Sequence, residues 1–327
     1  MRPEHLRHLA CPACRGPLTL QEQERDGPHV LSGALRCAAC GVDHPLRGGI
    51  PRFAGAPGER LAPAVAARFA GSWRAFPHLL PEFERQFFDW IAPFGPDDLR
   101  GAVVLEAGCG KGRHTRVIAG CAPEVAIALD LGDVVELAFA NTAHDPRALV
   151  VQGDILHPPL PVGSVDLCLS VGVIHHLPAP GEGTRSLRTC LRPGGRMVIW
   201  VYGRENNGWI VHVVSPVRER VTSRLPNRLL RALCFPPAVG MFALTQAYRR
   251  APAALAGHLP YAPYLRYIGM MPLHEQHSIV HDHLVTPVAY YLRREEVQAL
   301  LEQAGLVDVQ LRWHGTYSWT GWGRAPA

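Results

Sequence analysis

The chain is 327 residues long, 47% apolar, with a formal net charge of +5; that length allows one domain of roughly 200 residues and a smaller second one. No apolar run approaches the ~18 residues of a membrane span, and Met-Arg-Pro-Glu-His at residues 1–5 is no apolar signal region, so the expectation is a cytoplasmic protein without a transmembrane segment. The positive charge invites a nucleic-acid reading, but one lysine, Lys111, accompanies 32 arginines, a skew that points to coding bias rather than a phosphate-binding design, and nucleic acid is not the expected partner.

The first element is a pair of Cys-x-x-Cys knuckles, Cys11 with Cys14 and Cys37 with Cys40, separated by 22 residues. Two knuckles at this spacing suit a tetrahedral zinc ion, and a closed set of four thiolates leaves no position for substrate, so the site would be structural. Paired disulfides are the alternative. The other five cysteines, at 109, 121, 168, 190 and 234, are scattered singly, which favours the metal. About fifty residues bury too little surface to hold themselves together, and the metal would substitute for a core.

Residues 60–90 read as helix with breaks at Pro77 and Pro81. Their aromatic side chains either pack the helices onto a sheet or close over a ligand. Trp73 and Phe76 are the lid candidates, whereas Phe87, Phe88 and Trp90 read as core.

Residues 103–113 then run Val-Val-Leu-Glu-Ala-Gly-Cys-Gly-Lys-Gly-Arg, an apolar strand followed by glycines at 108, 110 and 112. Glycine permits a tight exit from the strand and lets a ligand approach the backbone. The carboxylate of Glu106 would repel a phosphate but suit an ammonium group, which separates this turn from the dinucleotide fingerprint. Residues 125–130 form a second apolar strand ending in Asp130, about twenty residues past the glycines, where an acid can take both hydroxyls of a ribose. A third, 149–155, ends in Gly153, Asp154 and Ile155. The fourth, 165–171, leads into His175 and His176, and residues 191–200 supply a turn and a fifth strand. Strands alternating with helix-length segments make a parallel sheet covered on both faces, with ligands outside the carboxyl ends.

Over residues 101–203, and more weakly over 286–327, these motifs resemble the class I S-adenosylmethionine-dependent methyltransferases, in particular the methyltransferase type 11 group. The resemblance implies a Rossmann-like, mostly parallel seven-stranded sheet and S-adenosylmethionine as cofactor. It implies a cofactor site of Glu106, Gly108, Cys109 and Gly110, with Asp130 and Leu131 at the ribose, Gly153, Asp154 and Ile155 at the adenine, and Ser170 nearby. The wording of residues 9–18 and 44–51 resembles the small zinc-binding Trm112-like family, separate members of which partner and stabilise methyltransferases. Here that partner stands in cis, as residues 1–56, with 57–100 a helical extension.

Residues 204–285 are an insertion between the fifth strand and the closing helix (294–305) and strands (307–313 and 317–323). A segment of that length is expected to be functional or to have its own structure, here a mostly helical substrate cap. Residues 216–235 alternate apolar and basic side chains, as an ordinary amphipathic cap or as a surface for an anionic substrate or membrane. His274, His277, His281 and His283 crowd ten residues, open to structural, substrate-contact or metal readings, without the His-Glu-x-x-His arrangement of a metalloprotease. Asp282 to Pro287 is similar to an Asp-containing segment that often precedes the last helix in the family.

Methyl transfer from a sulfonium needs mainly in-line positioning. A base, if used, is expected to be His175 or His277, with His176 orienting its loop. Trp73, Arg218, Tyr261, Tyr264, Tyr267 and His277 are the expected substrate contacts, for a small metabolite or natural product with an apolar body and an anionic group. The alternatives are a ribosomal- or transfer-RNA base methyltransferase and a non-catalytic cofactor-binding scaffold.

Overall fold

A computed structural model describes residues 1–53, 61–252 and 261–327. The expected boundary between residues 56 and 57 lies outside them. Four antiparallel strands come first, β1 (Leu18–Asp26), β2 (His29–Cys37), β3 (Asp43–Arg47) and β4 (Ile50–Pro51), paired in that order. Their inward positions, Val30, Leu35, Leu46 and Ile50, are fully buried. Most of the module's apolar side chains do not form a separate core: Met1, Leu9, Cys11 and Leu18 pack in one cluster with Leu105, Leu149 and Leu160 of the following domain.

That domain is a seven-stranded sheet of β5 (Val103–Ala107), β6 (Val125–Asp130), β7 (Ala148–Gln152), β8 (Val165–Val171), β9 (Leu191–Tyr202), β10 (Val307–His314) and β11 (Ser318–Arg324). The order is β10-β11-β9-β8-β5-β6-β7, parallel except for β11, which is antiparallel to both neighbours. The central strands are continuous apolar runs because helices cover both faces. The chain winds outward from β5 to β7 and then crosses to β8, so the crevice at the carboxyl ends of β5 and β8 is the topological switch point.

The zinc-type module continues this sheet past its edge: Arg52 bridges Gln152 in parallel, the Phe53 N–H donates to Gln152 O at 2.8 Å, and Ala10 N–H donates to Pro159 O at 3.0 Å. The covering helices are α1 (Leu61–Ala75), α2 (Glu82–Ile91), α3 (Pro96–Leu99), α4 (Arg113–Gly120), α5 (Val135–Thr142) and α6 (Pro180–Cys190), with α1 and α2 falling on either side of the two expected proline breaks.

The insertion is helical where described. A π-helical turn, Ile210–Val214, runs into α7 (Ser215–Arg220); α8 (Asn227–Arg250), α9 (Ala262–Ile268) and α10 (Leu273–Val285) follow, and α11 (Arg294–Gln303) rejoins the sheet. The Arg68 guanidinium ties α1 to this cap, donating to the carbonyls of Leu225 at 2.7 Å, Val285 at 3.2 Å and Thr222 at 3.3 Å. Among the described residues one helix, α8, is long and apolar enough to cross a membrane, by length and composition only. Pro236, Pro237, Gly240, Thr245 and Gln246 dilute its hydrophobicity, so it does not read as an apolar run, yet from Ala232 to Tyr248 it carries no charge.

Candidate functional site

A cavity of about 730 Å³ opens at the switch point. Its floor is the β5 turn, where Gly108, Gly110 and Gly112 all have positive φ. A Cβ on Gly108 would stand 2.3 Å from Val173 Cγ2, and one on Gly110 would stand 3.1 Å from the Trp73 indole nitrogen. Glycine is therefore required at 108 by backbone and by space. Gly108→Ala is expected to cost about 1–3 kcal/mol of stability, and an unchanged thermal unfolding midpoint would contradict this close approach.

Asp130, at the end of β6, also lines the cavity. Its two carboxylate oxygens accept the N–H groups of Gly110 and Gly132, each at 2.9 Å, and burial raises its pKa. Asp154 lines the next stretch of wall, accepting the Leu156 N–H at 2.8 Å, with Leu131, Ile155 and Leu156 beside it. Helix α1 closes the top with Val65, Ala66, Phe69 and Trp73, a helical stripe along one face. Lys111 sits under that lid, its ammonium 5.1 Å from the Trp73 ring centre and donating to the carbonyls of Phe76 and His78, each at 2.9 Å.

Glu106 is placed differently from the expectation. It is buried beneath the turn rather than lining it, accepting a hydrogen bond from Thr115 Oγ1 and lying 3.3 Å from His114 Nδ1. Burial pushes its pKa up to about 8 and that of His114 well below the ordinary histidine value, so burial disfavours the charged form of both partners in this contact. Ser170 and Gly153 also stand behind the wall: Ser170 Oγ donates to Ala107 O at 3.1 Å, and Gly153 packs against Leu129 and Pro159. Cys109 is on the lining, and Val171, Gly172 and Val173 take the place expected of Ser170.

The opposite wall comes from β9 and the insertion. Tyr261 and Tyr264 line it as expected, together with Trp200, Tyr202, Met271 and Tyr291. Four expected contacts lie elsewhere. His175 is fully buried, its ring against His176 and Tyr202, because the loop after β8 turns it inward while His176 faces the cavity. His176 Nδ1 lies 2.6 Å from Val288 O. His277 packs between Phe76 and Phe235 with Nε2 2.8 Å from Arg231 O. Arg218 is buried on Ala289 O at 3.3 Å, and Tyr267 hydroxyl donates to Glu82 O at 3.1 Å. Helical spacing within the insertion turns Arg218, Tyr267 and His277 toward their packing partners. Phe76, a lid candidate, is likewise interhelical packing, whereas Trp90, read as core, is buried and also reaches the cavity.

Sequence reasoning missed Glu275 and Tyr291, and it singled out Asp282 and His283 without assigning either to the site. Asp282 lines the cavity, accepts the Ser72 hydroxyl at 2.6 Å, and is pushed by burial up to about 6. Glu275, His283 and Trp200 line the same cavity, and Glu275 Oε2, His283 Nδ1 and Trp200 Nε1 make no hydrogen bond among the described residues, a state buried polar atoms rarely keep. The Asp-to-Pro segment at 282–287 was the available signal.

The methyltransferase domain family matches residues 105–199, and the Trm112p-like protein family matches residues 2–49. The chain carries a methyltransferase domain joined to a Trm112p-like domain. The curated relatives include a tRNA U34 carboxymethyltransferase of Idiomarina loihiensis, 31% identical over 34% of this chain and 37% of that protein. Another, from Mycolicibacterium smegmatis, is named "Probable S-adenosylmethionine-dependent methyltransferase" and is 36% identical over 30% of this chain and 37% of its own length. The chain thus spans little more than a third of the length of either. Among solved structures, a SAM-dependent methyltransferase from Aquifex aeolicus superposes at a TM-score of 0.41 and 15% identity, over 76% of this chain and 99% of that one.

In the Trm112p-like domain the sulfurs of Cys11, Cys14, Cys37 and Cys40 all lie within 4.8 Å of one another. Cys14 and Cys37 are 3.4 Å apart and Cys11 and Cys40 3.7 Å, unbonded. A tetrahedron of thiolates at about 2.3 Å from zinc has edges of about 3.8 Å, so the donor set fits the ion.

Proposed function

We propose that the chain transfers the methyl group of S-adenosylmethionine to an acceptor held beneath the helical insertion, and that zinc holds its N-terminal module. The observation that carries the first reading is a single cavity lined both by the methyltransferase turn with Asp130 and Asp154 and by Tyr264, Met271 and His283 of the insertion. In this reading Asp130 takes the ribose diol, Asp154, Ile155 and Leu156 take the adenine, and the Gly108 to Gly110 turn admits the amino-acid end. Bound there, the cofactor supplies an already activated methyl group. The protein's own contribution is to exclude water with Trp73, Trp90 and Trp200 and to align the acceptor in line.

For an acceptor that loses a proton, Asp282 replaces His175 and His277 as the candidate base. Its carboxyl must be ionised to accept a proton, and burial places that ionisation at about pH 6, above the ordinary 3.8. Transfer is therefore expected to fall as the pH drops through about 6, and Asp282→Asn to lower kcat by about 10²–10⁴-fold and flatten that limb. An unaltered limb in the variant would remove Asp282 from the role.

On the acceptor, the relatives' names favour a transfer RNA over the small molecule expected from sequence, and weaken the expectation that nucleic acid is no partner. One structural observation favours the small acceptor: the walls are mainly apolar, with Trp90, Trp200, Met241, Ile268 and Met271 among them. With Asp130 and Asp154 engaged by the cofactor in this reading, two carboxyl groups, Glu275 and Asp282, face two cations, Lys111 and Arg113. That even balance suits a neutral acceptor and revises the expectation of an anionic one. Incubation with methyl-labelled cofactor and separate counting of a transfer-RNA fraction and an apolar small-molecule extract tests both; label in RNA alone selects the RNA reading, and label in neither, with the cofactor unbound, overturns methyl transfer.

A further inference from the structure

The insertion exposes apolar side chains in a pattern the cavity does not use. Of fourteen large hydrophobic side chains exposed among the described residues, nine fall within the 36 residues from Trp209 to Leu244. Trp209, Val213, Val217 and Val221 recur every fourth residue along the helical run into α7, which makes one stripe. Leu229, Leu233, Phe235 and Val239 continue the exposure on α8, with Val213 62% and Leu233 55% accessible. On its other side α8 buries Leu230, Cys234, Ala238 and Thr245 and packs on α9 and α10. The helix is thus held flat against the protein by one face.

Charge says what covers the other. Residues 206–274 contain eight arginines and one acidic residue, Glu219, although the whole chain is only +5. Arg218 is buried; Arg220, Arg224, Arg228 and Arg231 lie exposed before the uncharged stretch of α8 and Arg249 and Arg250 after it. None of these six makes an ion pair with an acidic side chain among the described residues. From these observations we infer that the 209–250 face docks on an anionic lipid bilayer, with the aliphatic stripes entering the headgroup boundary and the flanking guanidinium groups meeting lipid phosphates. An interfacial helix needs this combination of an apolar face and flanking basic residues. RNA would use the arginines but finds mainly Val and Leu between them, where stacking needs aromatic rings, and a second copy would bring like charges together. Trp209 and Leu244 both belong to the exposed set and line the cavity, so the cavity reaches the surface at this face.

The inference deepens the small-acceptor reading, since an apolar acceptor partitioned in a bilayer could enter there, but its test involves no turnover. Full-length protein is sedimented with vesicles of phosphatidylcholine alone or with 30 mol% phosphatidylglycerol. Binding at least tenfold stronger to the anionic vesicles, reduced by 0.5 M salt and lost by about tenfold in Leu233→Glu/Phe235→Glu at unchanged thermal midpoint, is the expected result. Should that variant unfold, Arg228→Gln/Arg231→Gln must weaken binding instead. Equal recovery with and without vesicles overturns the inference, as does vesicle-independent self-association abolished by the same variants, or an RNA affinity that the glutamates leave unchanged while vesicles do not bind.

Discussion

Cys37→Ser is expected to take purified protein from about one zinc per chain to about none, and to lower the unfolding midpoint of the whole chain rather than of its first fifty residues alone. Structural zinc contributes about 10–16 kcal/mol in isolated zinc-finger peptides, more than the marginal stability of most domains. Three remaining thiolates retain part of that. The effect should propagate because Cys11, Leu9 and Leu18 share a cluster with Leu105, Leu149 and Leu160. Sequence alone suggests a separable module. Metal analysis and a near-ultraviolet circular dichroism melt decide the matter: metal-free wild-type protein, or a variant that melts at the wild-type temperature, would remove zinc from the account.

Asp130→Ala carries the second large effect. The carboxylate fixes two sides of the cofactor turn at once, through the N–H groups of Gly110 and Gly132, and it is the charged acceptor proposed for the ribose diol. Losing a charged hydrogen-bonding group costs about 1.5–3 kcal/mol, which is about ten- to a hundredfold in affinity. Titration calorimetry with S-adenosylhomocysteine reads it directly. Asp130→Asn keeps the shape and one acceptor, so it should fall between alanine and wild type. Equal affinity in all three proteins would move the ribose site away from β6.

The parallel winding and the glycine turn were legible because they rest on short-range patterns, apolar runs and glycines at a strand end; the seven-stranded sheet was implied by the family resemblance, and the strand order was not read. Glu106 shows the limit of that legibility. Its place at the end of β5 was read correctly, but its partner is Thr115 on the next helix, and strand-end position does not say which side of the turn a carboxylate takes. The same limit applies to the insertion. Helical spacing puts His274, His277 and His281 on one face of α10 and His283 on the opposite one, and packing against α1 and α8 then decides which face meets the cavity, sending His283 with Asp282 into it and His277 away. Tertiary contact decided those residues, where local spacing left them open.

The bridge from Arg52 to Gln152 and the hydrogen bond from Phe53 cover the β7 side of the large sheet. An uncovered strand there would offer a row of free amides and carbonyls to any passing chain, a known route to aggregation. With zinc holding the cover, as proposed, a cell short of the metal would be expected to register the shortage as insoluble protein rather than as slow enzyme. And because the cover is on the same polypeptide, it is supplied one for one at every expression level and cannot be diluted away.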